Sequence, residues 1–262
     1  MQRGVTVRVF KNEVKLVLLI FGLAIYLTFM FANFAFADPQ GASVNFISSS
    51  NYTVTPESQT HKGGTINTVT LSVDQQDNNW KAYVGNITGT LVLRNSDGWS
   101  IFEWGMNSST MTGNIYVSRN DSVLWANLHC ANNTIINSEQ TALGISNTAS
   151  DSINNTFNYS IHQTLQTTIG GVGDIANGTC LSTATWVNGS TQTMTESAYF
   201  QEILVDDTVT LVYATFISQD AWSYNNNESV NGTNVTYDFQ IIVAENSSLA
   251  SGTAYYFYAE VS

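Results

Sequence analysis

The sequence predicts a mainly β protein: a sandwich or jelly-roll-like pair of sheets with a helical, disulfide-pinned insertion. Three observations lead to this fold class. Strand-length runs rich in β-branched and aromatic residues occur before about residue 120 and again from about residue 199. Between them the apolar spacing changes to that of helices. The two cysteines of the chain, Cys130 and Cys180, both fall in this middle stretch.

The first 37 residues have the layout of an export signal. Four basic residues precede an uncharged apolar run over residues 16–37, which ends in the Ala-Phe-Ala pattern of a signal-peptidase site. We therefore expect cleavage before Asp38 and an extracellular or cell-surface location for residues 38–262, taken as a single β-rich domain. The apolar run is also long enough to span a bilayer, so an uncleaved anchor is the alternative.

The exported part is strongly acidic. It keeps four Lys and Arg residues against nineteen Asp and Glu residues, a formal net charge of about −15. Nucleic acid is not expected as a partner, because phosphate binding needs clustered cations. The partners that we expect are other copies of the chain or other surface proteins, with glycans as a further class.

Glycosylation sequons are frequent in the exported part, as expected for a surface glycoprotein. There are thirteen, and Asn86 is set aside because it falls within a predicted strand. The twelve candidate acceptors are Asn51, Asn107, Asn120, Asn132, Asn154, Asn158, Asn177, Asn188, Asn227, Asn231, Asn234 and Asn246.

The two cysteines predict one disulfide. In an oxidising compartment Cys130 and Cys180 are expected to close a loop of about 50 residues, worth on the order of 4 kcal/mol in the chain-entropy model. The alternative, a catalytic pair of His129 and Cys130, is disfavoured because neighbours in sequence usually point apart.

Before residue 120 the elements are predicted to be strands joined by turns. The segment NSDGWS predicts a hairpin, because Asp97 and Gly98 accept positive φ. Gly85 and Gly89 predict a bulge or a close backbone approach. The predicted strands are TINTVTLSV, KAYVGNITGTLVLRN, WSIFEWGM and GNIYVSR.

The insertion, at about residues 120–180, is predicted to be partly helical. Apolar residues from Leu124 to Ile135 are spaced four, three and four apart, which forms one helical stripe, and Asn120 or Ser122 is available as its N-cap. The segments NSEQTALGI and SDSINNTFNYSIHQTL predict further short helices.

Four strands are predicted after the insertion, and the last is aromatic on both faces. Tyr255, Tyr256, Phe257 and Tyr258 are candidate assembly residues, because a strand that is apolar on both faces needs cover on both. The strand is expected to pair beside YDFQIIV in its own chain, and the alternative is that it completes the sheet of another subunit. The four segments are AYFQEILVDD, TVTLVYATFIS, VTYDFQIIVAE and TAYYFYAEV.

Several segments together resemble a family of exported archaeal proteins of uncharacterised function. They occur in the order WKAYVGNITGTLVL, GNIYVSR, LHC, SINNTF, GTC, FQEILV, YDFQIIVAE and YYFYAEV. The resemblance covers most of the exported part and implies an archaeal envelope or extracellular location. It implies no chemistry.

An enzyme is not predicted, and neither a cofactor nor a metal site is expected. P-loop, nucleophile-elbow and zinc-protease motifs are missing from the sequence. The enzymatic alternative is a hydrolase with two carboxylates, for which Glu103, Glu202 and Glu260 stand among apolar strand residues. Asp206 and Asp207 are available to Ca²⁺ but do not match its loop motif.

The function predicted from these features is that of a structural or cell-surface protein, a filament or surface-assembly subunit built by strand addition at sheet edges. A secreted carbohydrate- or ligand-binding module is the alternative, because exposed members among six tryptophans offer rings that stack on sugars.

Overall fold

The structure is a computed structural model of the chain. It describes residues 39–47, 49, 60, 77–87, 91–97, 99–104, 112–187, 191–218, 221–222, 236–246 and 252–261. All of them belong to one compact unit that runs from residue 38 to residue 262. The predicted signal or anchor, the predicted strand TINTVTLSV and the sequons at Asn51, Asn107, Asn188, Asn227, Asn231 and Asn234 lie outside the described residues.

The described part of the chain is mainly β, as predicted. Two α-helices, α1 (Asn133–Leu143) and α2 (Ile153–Thr156), lie in the insertion. The strands are β1 (Gln40–Gly41), β2 (Trp80–Gly85), β3 (Leu91–Arg94), β4 (Ser100–Trp104), β5 (Gly113–Ser118), β6 (His129–Cys130), β7 (Ser182–Ala184), β8 (Gln201–Asp206), β9 (Leu211–Phe216), β10 (Ala221–Trp222), β11 (Thr236–Tyr237), β12 (Phe239–Ala244) and β13 (Tyr256–Val261).

The core of the fold is a seven-stranded antiparallel sheet. Its order is β1-β13-β5-β9-β8-β6, and β7 also pairs with β8. Every residue of β8 and of β9 is buried. Strands that are buried along their whole length need cover on both faces of the sheet, and the chain supplies a layer on each face.

One face is covered by the two-stranded ribbon of β2 and β12 together with α1 and α2. Tyr213 and Leu204 of the sheet belong to the same buried cluster as Ile241 of β12 and Ile136 of α1. This ribbon and the helices form the second layer of the sandwich. Two further ribbons, β3 with β4 and β10 with β11, stand outside the large sheet.

The opposite face is covered by irregular segments of the insertion. Trp125, in a single 3₁₀ turn, packs edge-on against Tyr116 and Tyr258, with ring centroids 5.5 and 5.0 Å away. Gly170 lies so close beneath this turn that an added Cβ would stand 2.5 Å from the amide nitrogen of Ala126. Only a glycine fits there, because its φ is also positive, at 55°.

The disulfide-pinned insertion is confirmed, but the helical stripe predicted from Leu124 is wrong. Cys130 is bonded to Cys180. Residues 129–130 pair with β8 instead of continuing a helix, and the first helix begins only at Asn133. The predicted cap is wrong as well, because the side chain of Asn132 accepts hydrogen bonds from the amides of Thr134 and Ile135.

The predicted run KAYVGNITGTLVLRN is divided between β2, which pairs with β12, and β3, which pairs with β4. The NSDGWS hairpin is confirmed: the side chain of Asn95 accepts hydrogen bonds from the amides of Asp97 and Trp99. The close approach predicted at Gly85 is confirmed too, since an added Cβ would lie 2.9 Å from the ring of Phe239.

The C-terminal strand has a different neighbour from the one predicted. All six residues of β13 pair with β5, and its other edge pairs with β1, whereas the FQIIV part of YDFQIIV pairs with β2. The inner edge of β12 is satisfied by side chains instead: the amide of Ile242 donates to Glu202, and that of Ala244 to the Tyr213 hydroxyl. Because these groups occupy the edge, β12 needs no strand there.

Candidate functional site

The outer edge of β13 is the first candidate site, because only a short strand closes it. Gln40 and Gly41 pair with Ala259 and Tyr258, and the amide of Ala42 donates to the carbonyl of Phe257 at 2.8 Å. Thus β1 covers two of the six residues that β13 offers. Natural sheets commonly protect their edges with very short strands, and such edges are also where other chains add a strand.

The residues that follow β1 are apolar and exposed. Val44, Phe46 and Ile47 are 63%, 74% and 90% exposed. Val44 and Phe46 are two residues apart, so in an extended chain they fall on one face. We call residues 39–47 the N-terminal segment; it combines a short pairing strand with apolar side chains that its own domain leaves in solvent.

The aromatic residues predicted as assembly candidates are mostly used inside the chain. The Tyr255 hydroxyl donates to the carbonyl of Ala244, the Phe257 ring packs against Tyr83, and Tyr258 packs against Trp125. Tyr256 is the exposed member of the four, at 43%. The cover expected on both faces of this strand is therefore present, and it comes from the same chain.

A second exposed apolar surface is the hairpin of β3 and β4. Leu93, Trp99, Ile101 and Phe102 are each more than half exposed. Ile101 and Phe102 are neighbours in one strand, so they point to opposite sides of the ribbon. A two-stranded ribbon with apolar groups on both sides is marginal in water by itself, and it gains stability when another surface covers it.

The three carboxylates of the hydrolase alternative do not form a pair. Glu202 lies, like Leu204, on the face of the sheet that the β2–β12 ribbon covers, and its carboxylate accepts a hydrogen bond from the main-chain amide of Ile242. Glu260 lies on the opposite face, where it accepts from Tyr116 and Thr168. Glu103 is exposed on the separate hairpin. Because Glu202 and Glu260 point away from each other across the sheet, they cannot act on one glycosidic bond.

Glu202 is nevertheless a carboxyl with a shifted pKa. It is fully buried, and burial raises its pKa well above the usual value, although the amide of Ile242 partly opposes this. Its Oε1 atom has no hydrogen-bond partner among the described residues. Since the carboxyl is enclosed between two layers and not in a cleft, its role is to join β12 to the sheet.

Asp206 and Asp207 are used by the backbone around the β8–β9 turn. Asp206 accepts from the main-chain and side-chain amides of Asn132, and Asp207 accepts from the amides of Leu124 and Thr210. Burial raises the pKa of Asp207, but the backbone hydrogen bonds outweigh it and hold the pKa below the ordinary value. No group of three potential metal-ligating side chains occurs within the described ranges.

Two buried or ion-paired groups hold the insertion in place. His162 is buried, and its Nε2 accepts from the amides of Thr179 and Cys180 at 3.1 and 3.0 Å. Desolvation lowers the pKa of His162, so the neutral ring that these bonds require is favoured. Arg119 forms two hydrogen bonds of 2.6 and 2.7 Å to Glu139 of α1. These residues are structural, and spacing alone did not identify them.

Two exposed aromatic residues lie together near the start of β8. The amide of Thr185 donates to the carbonyl of Phe200, one position beyond the last pair of β7 and β8, and Trp186 and Tyr199 are the next residues of the two segments. They are 56% and 57% exposed. The Gln192 side chain donates to the carbonyls of Thr185 and Tyr199 and so joins the two segments.

The described sequon asparagines differ in what their side-chain amides do. Asn120, Asn154 and Asn177 donate to Ser122, Asn137 and Glu196 respectively, and Asn132 donates to Asp206. Asn158 is exposed. Asn246 is partly buried beyond the end of β12. Asn86, predicted to lie within a strand, is exposed just after β2.

The comparisons with known proteins identify no family. Searches against models of protein families, curated sequences and solved structures gave no match. The resemblance to exported archaeal proteins therefore stays a prediction. Within the described residues, no helix combines the length and apolarity that crossing a membrane requires; the predicted anchor at residues 16–37 is not among them.

Proposed function

We propose that this chain is an extracellular surface protein that assembles with copies of itself by strand addition at the outer edge of β13. The observation that carries the proposal is the combination found at this edge. β1 covers only two residues of β13, and the exposed apolar residues Val44, Phe46 and Ile47 follow directly. The C-terminal strand is thus the acceptor of the added strand and not its donor.

The added strand is the N-terminal segment of a neighbouring copy. Gln40 and Gly41 can pair with β13 of their own molecule or with β13 of the next one in the same way. Exchange of the N-terminal segment between copies therefore costs little free energy. In an assembly, Val44 and Phe46 gain a partner surface, and burying apolar area contributes about 25 cal/mol per Å². A segment donated from copy to copy generates a filament unless the geometry closes a ring.

Removal of residues 39–47 tests the proposal. The shortened protein is expected to stay folded, because the buried clusters of the sheet draw on other residues, and to lose assembly in sedimentation and electron microscopy. Phe46→Ser is the point variant, and Trp186→Ser, at the far edge of the sheet, is the matched control. Undiminished assembly of the shortened protein would overturn the proposal.

A carbohydrate- or ligand-binding module is the second candidate function, and the exposed pair of Trp186 and Tyr199 favours it. Aromatic rings in solvent offer apolar faces on which sugar rings stack. Quenching of tryptophan fluorescence by oligosaccharides should disappear in Trp186→Ala and persist in Trp99→Ala. Equal quenching in both variants would exclude this pair as a sugar site.

A further inference from the structure

Two sequons with the same exposure differ in whether their asparagine amide is free to react. The tripeptides beginning at Asn132 and at Asn158 are both exposed over all three residues. Exposure is therefore not what separates them. The difference lies in the hydrogen bonds that each side-chain amide makes.

The Asn132 side chain is occupied on both of its polar atoms. Its Oδ1 caps α1 by accepting from the amides of Thr134 and Ile135, at 2.9 and 3.1 Å. Its Nδ2 donates to Oδ2 of the fully buried Asp206 at 3.1 Å. Thr134, the hydroxyl residue of this sequon, already belongs to the helix. Glycan attachment leaves Nδ2 a single hydrogen, so the bond to Asp206 survives only if the glycan replaces the other hydrogen, on the carboxamide whose Oδ1 caps the helix.

The Asn158 sequon differs from the Asn132 sequon in the hydrogen bonds of its asparagine side chain. Asn158, Tyr159 and Ser160 run beside β7, where the main chain of Tyr159 exchanges two hydrogen bonds with that of Ser182. Within the described residues the Asn158 side chain makes no hydrogen bond that would have to break. The backbone is thus fixed while the carboxamide remains in solvent.

We propose that Asn158 is an N-glycan acceptor of this protein and that Asn132 is a structural cap that stays unmodified. In the transfer, Asn158 Nδ2 bonds to the anomeric carbon of a phosphate-activated glycosyl donor, the bond from that carbon to the phosphate oxygen breaks, and the proton lost from Nδ2 goes to the leaving phosphate. The proposal rests on the proposed export but not on assembly.

Glycopeptide mass spectrometry tests the assignment. The full chain is produced in a host that performs N-glycosylation and is recovered from outside the cells, where a mature N-terminus at Asp38 establishes export independently. The peptide with Asn158 is expected to carry glycan, and the peptide with Asn132 to carry none. Ser160→Ala should abolish the glycan at Asn158 without replacing the asparagine.

Stability measurements on unglycosylated protein separate the structural role. Asn158→Gln should leave the unfolding midpoint unchanged, whereas Asn132→Ala should lower it, because the helix cap and one of the hydrogen bonds to Asp206 are lost together. An unmodified Asn158 in exported protein, or glycan on Asn132 at an equal or higher occupancy, would overturn the proposal.

Discussion

Tyr258 is the residue through which the closure of the C-terminal strand is best tested. It is 8% exposed, and its ring packs edge-on against Trp125 with centroids 5.0 Å apart. Its neighbour Tyr256 is 43% exposed in the same strand and is the matched control. Replacing each tyrosine by alanine removes the same atoms from two environments that differ in burial.

The expected loss follows from the packing of the ring. Truncating a buried aromatic side chain to alanine costs about 3–5 kcal/mol of unfolding free energy, and an edge-on aromatic pair is worth roughly 0.5–1.5 kcal/mol beyond buried area. For a domain of this size each kcal/mol shifts Tm by about 2–4 °C, so Tyr258→Ala should lower Tm by roughly 6–20 °C. Tyr256→Ala should cost less than about 1 kcal/mol.

The assays are urea unfolding, for the unfolding free energy, and thermal unfolding, for Tm, under conditions where sedimentation shows a monomer. Tyr258→Phe distinguishes the contribution of the hydroxyl from that of the ring. The hydroxyl donates to the carbonyl of Asn120 at 3.3 Å, so its loss should lower the unfolding free energy by about 1 kcal/mol or less. If monomeric Tyr258→Ala unfolds like the parent protein, or if Tyr256→Ala is equally destabilised, the strand does not close its own sheet.

Three further predictions concern buried groups. Because the pKa of Glu202 is raised in the folded state, the contribution of this residue to the unfolding free energy is fully present below pH 4.5 and is lost as the pH rises toward the folded-state pKa. Glu202→Gln cannot ionise, so its unfolding free energy should fall less steeply over that range. Equal slopes for the two proteins would contradict the assignment. Nuclear magnetic resonance titration of His162 should give a pKa below 6.5, with stability lost as the pH falls through that value, and a pKa at or above 6.5 would be inconsistent with its two accepted hydrogen bonds. Gly170→Ala should destabilise more than Gly173→Ala, because both glycines have positive φ but nothing lies within 4 Å of a Cβ at Gly173; equal thermal shifts would show that the contact with Ala126 is unimportant.

Fold class and the disulfide were predictable because they rest on local signals. Runs such as QEILVD and LVYATF are rich in residues that favour strands, and the sequence has two cysteines, which can pair only with each other within the chain. The helix predicted from the apolar spacing after Leu124 does not form, because tertiary contacts outweigh this local pattern. Cys130 pairs with β8 and is bonded in the disulfide, so a helix cannot continue through it.

Strand neighbours were harder to predict than strands. The short loop before β13 favoured pairing with β12, but the edge of β12 is occupied by Glu202 and Tyr213, which lie far away in sequence. The short strand β1 escaped prediction because two residues carry no periodicity. For the aromatic end, the sequence predicted pairing within its own chain, but the neighbouring strand is β5 and not β12.

Intermolecular cross-linking between β1 and β13 tests the central claim most directly. Gln40 and Ala259 are paired residues in neighbouring antiparallel strands, so cysteines at both positions lie within reach of a disulfide. Single variants Gln40→Cys and Ala259→Cys are mixed under assembly conditions, oxidised and separated without reduction, while the native disulfide stays intact. The account predicts a covalent dimer of the two variants, because the N-terminal segment of one copy pairs with β13 of the next. Assembly without any such dimer, together with efficient intramolecular bonding in the double variant, would contradict it.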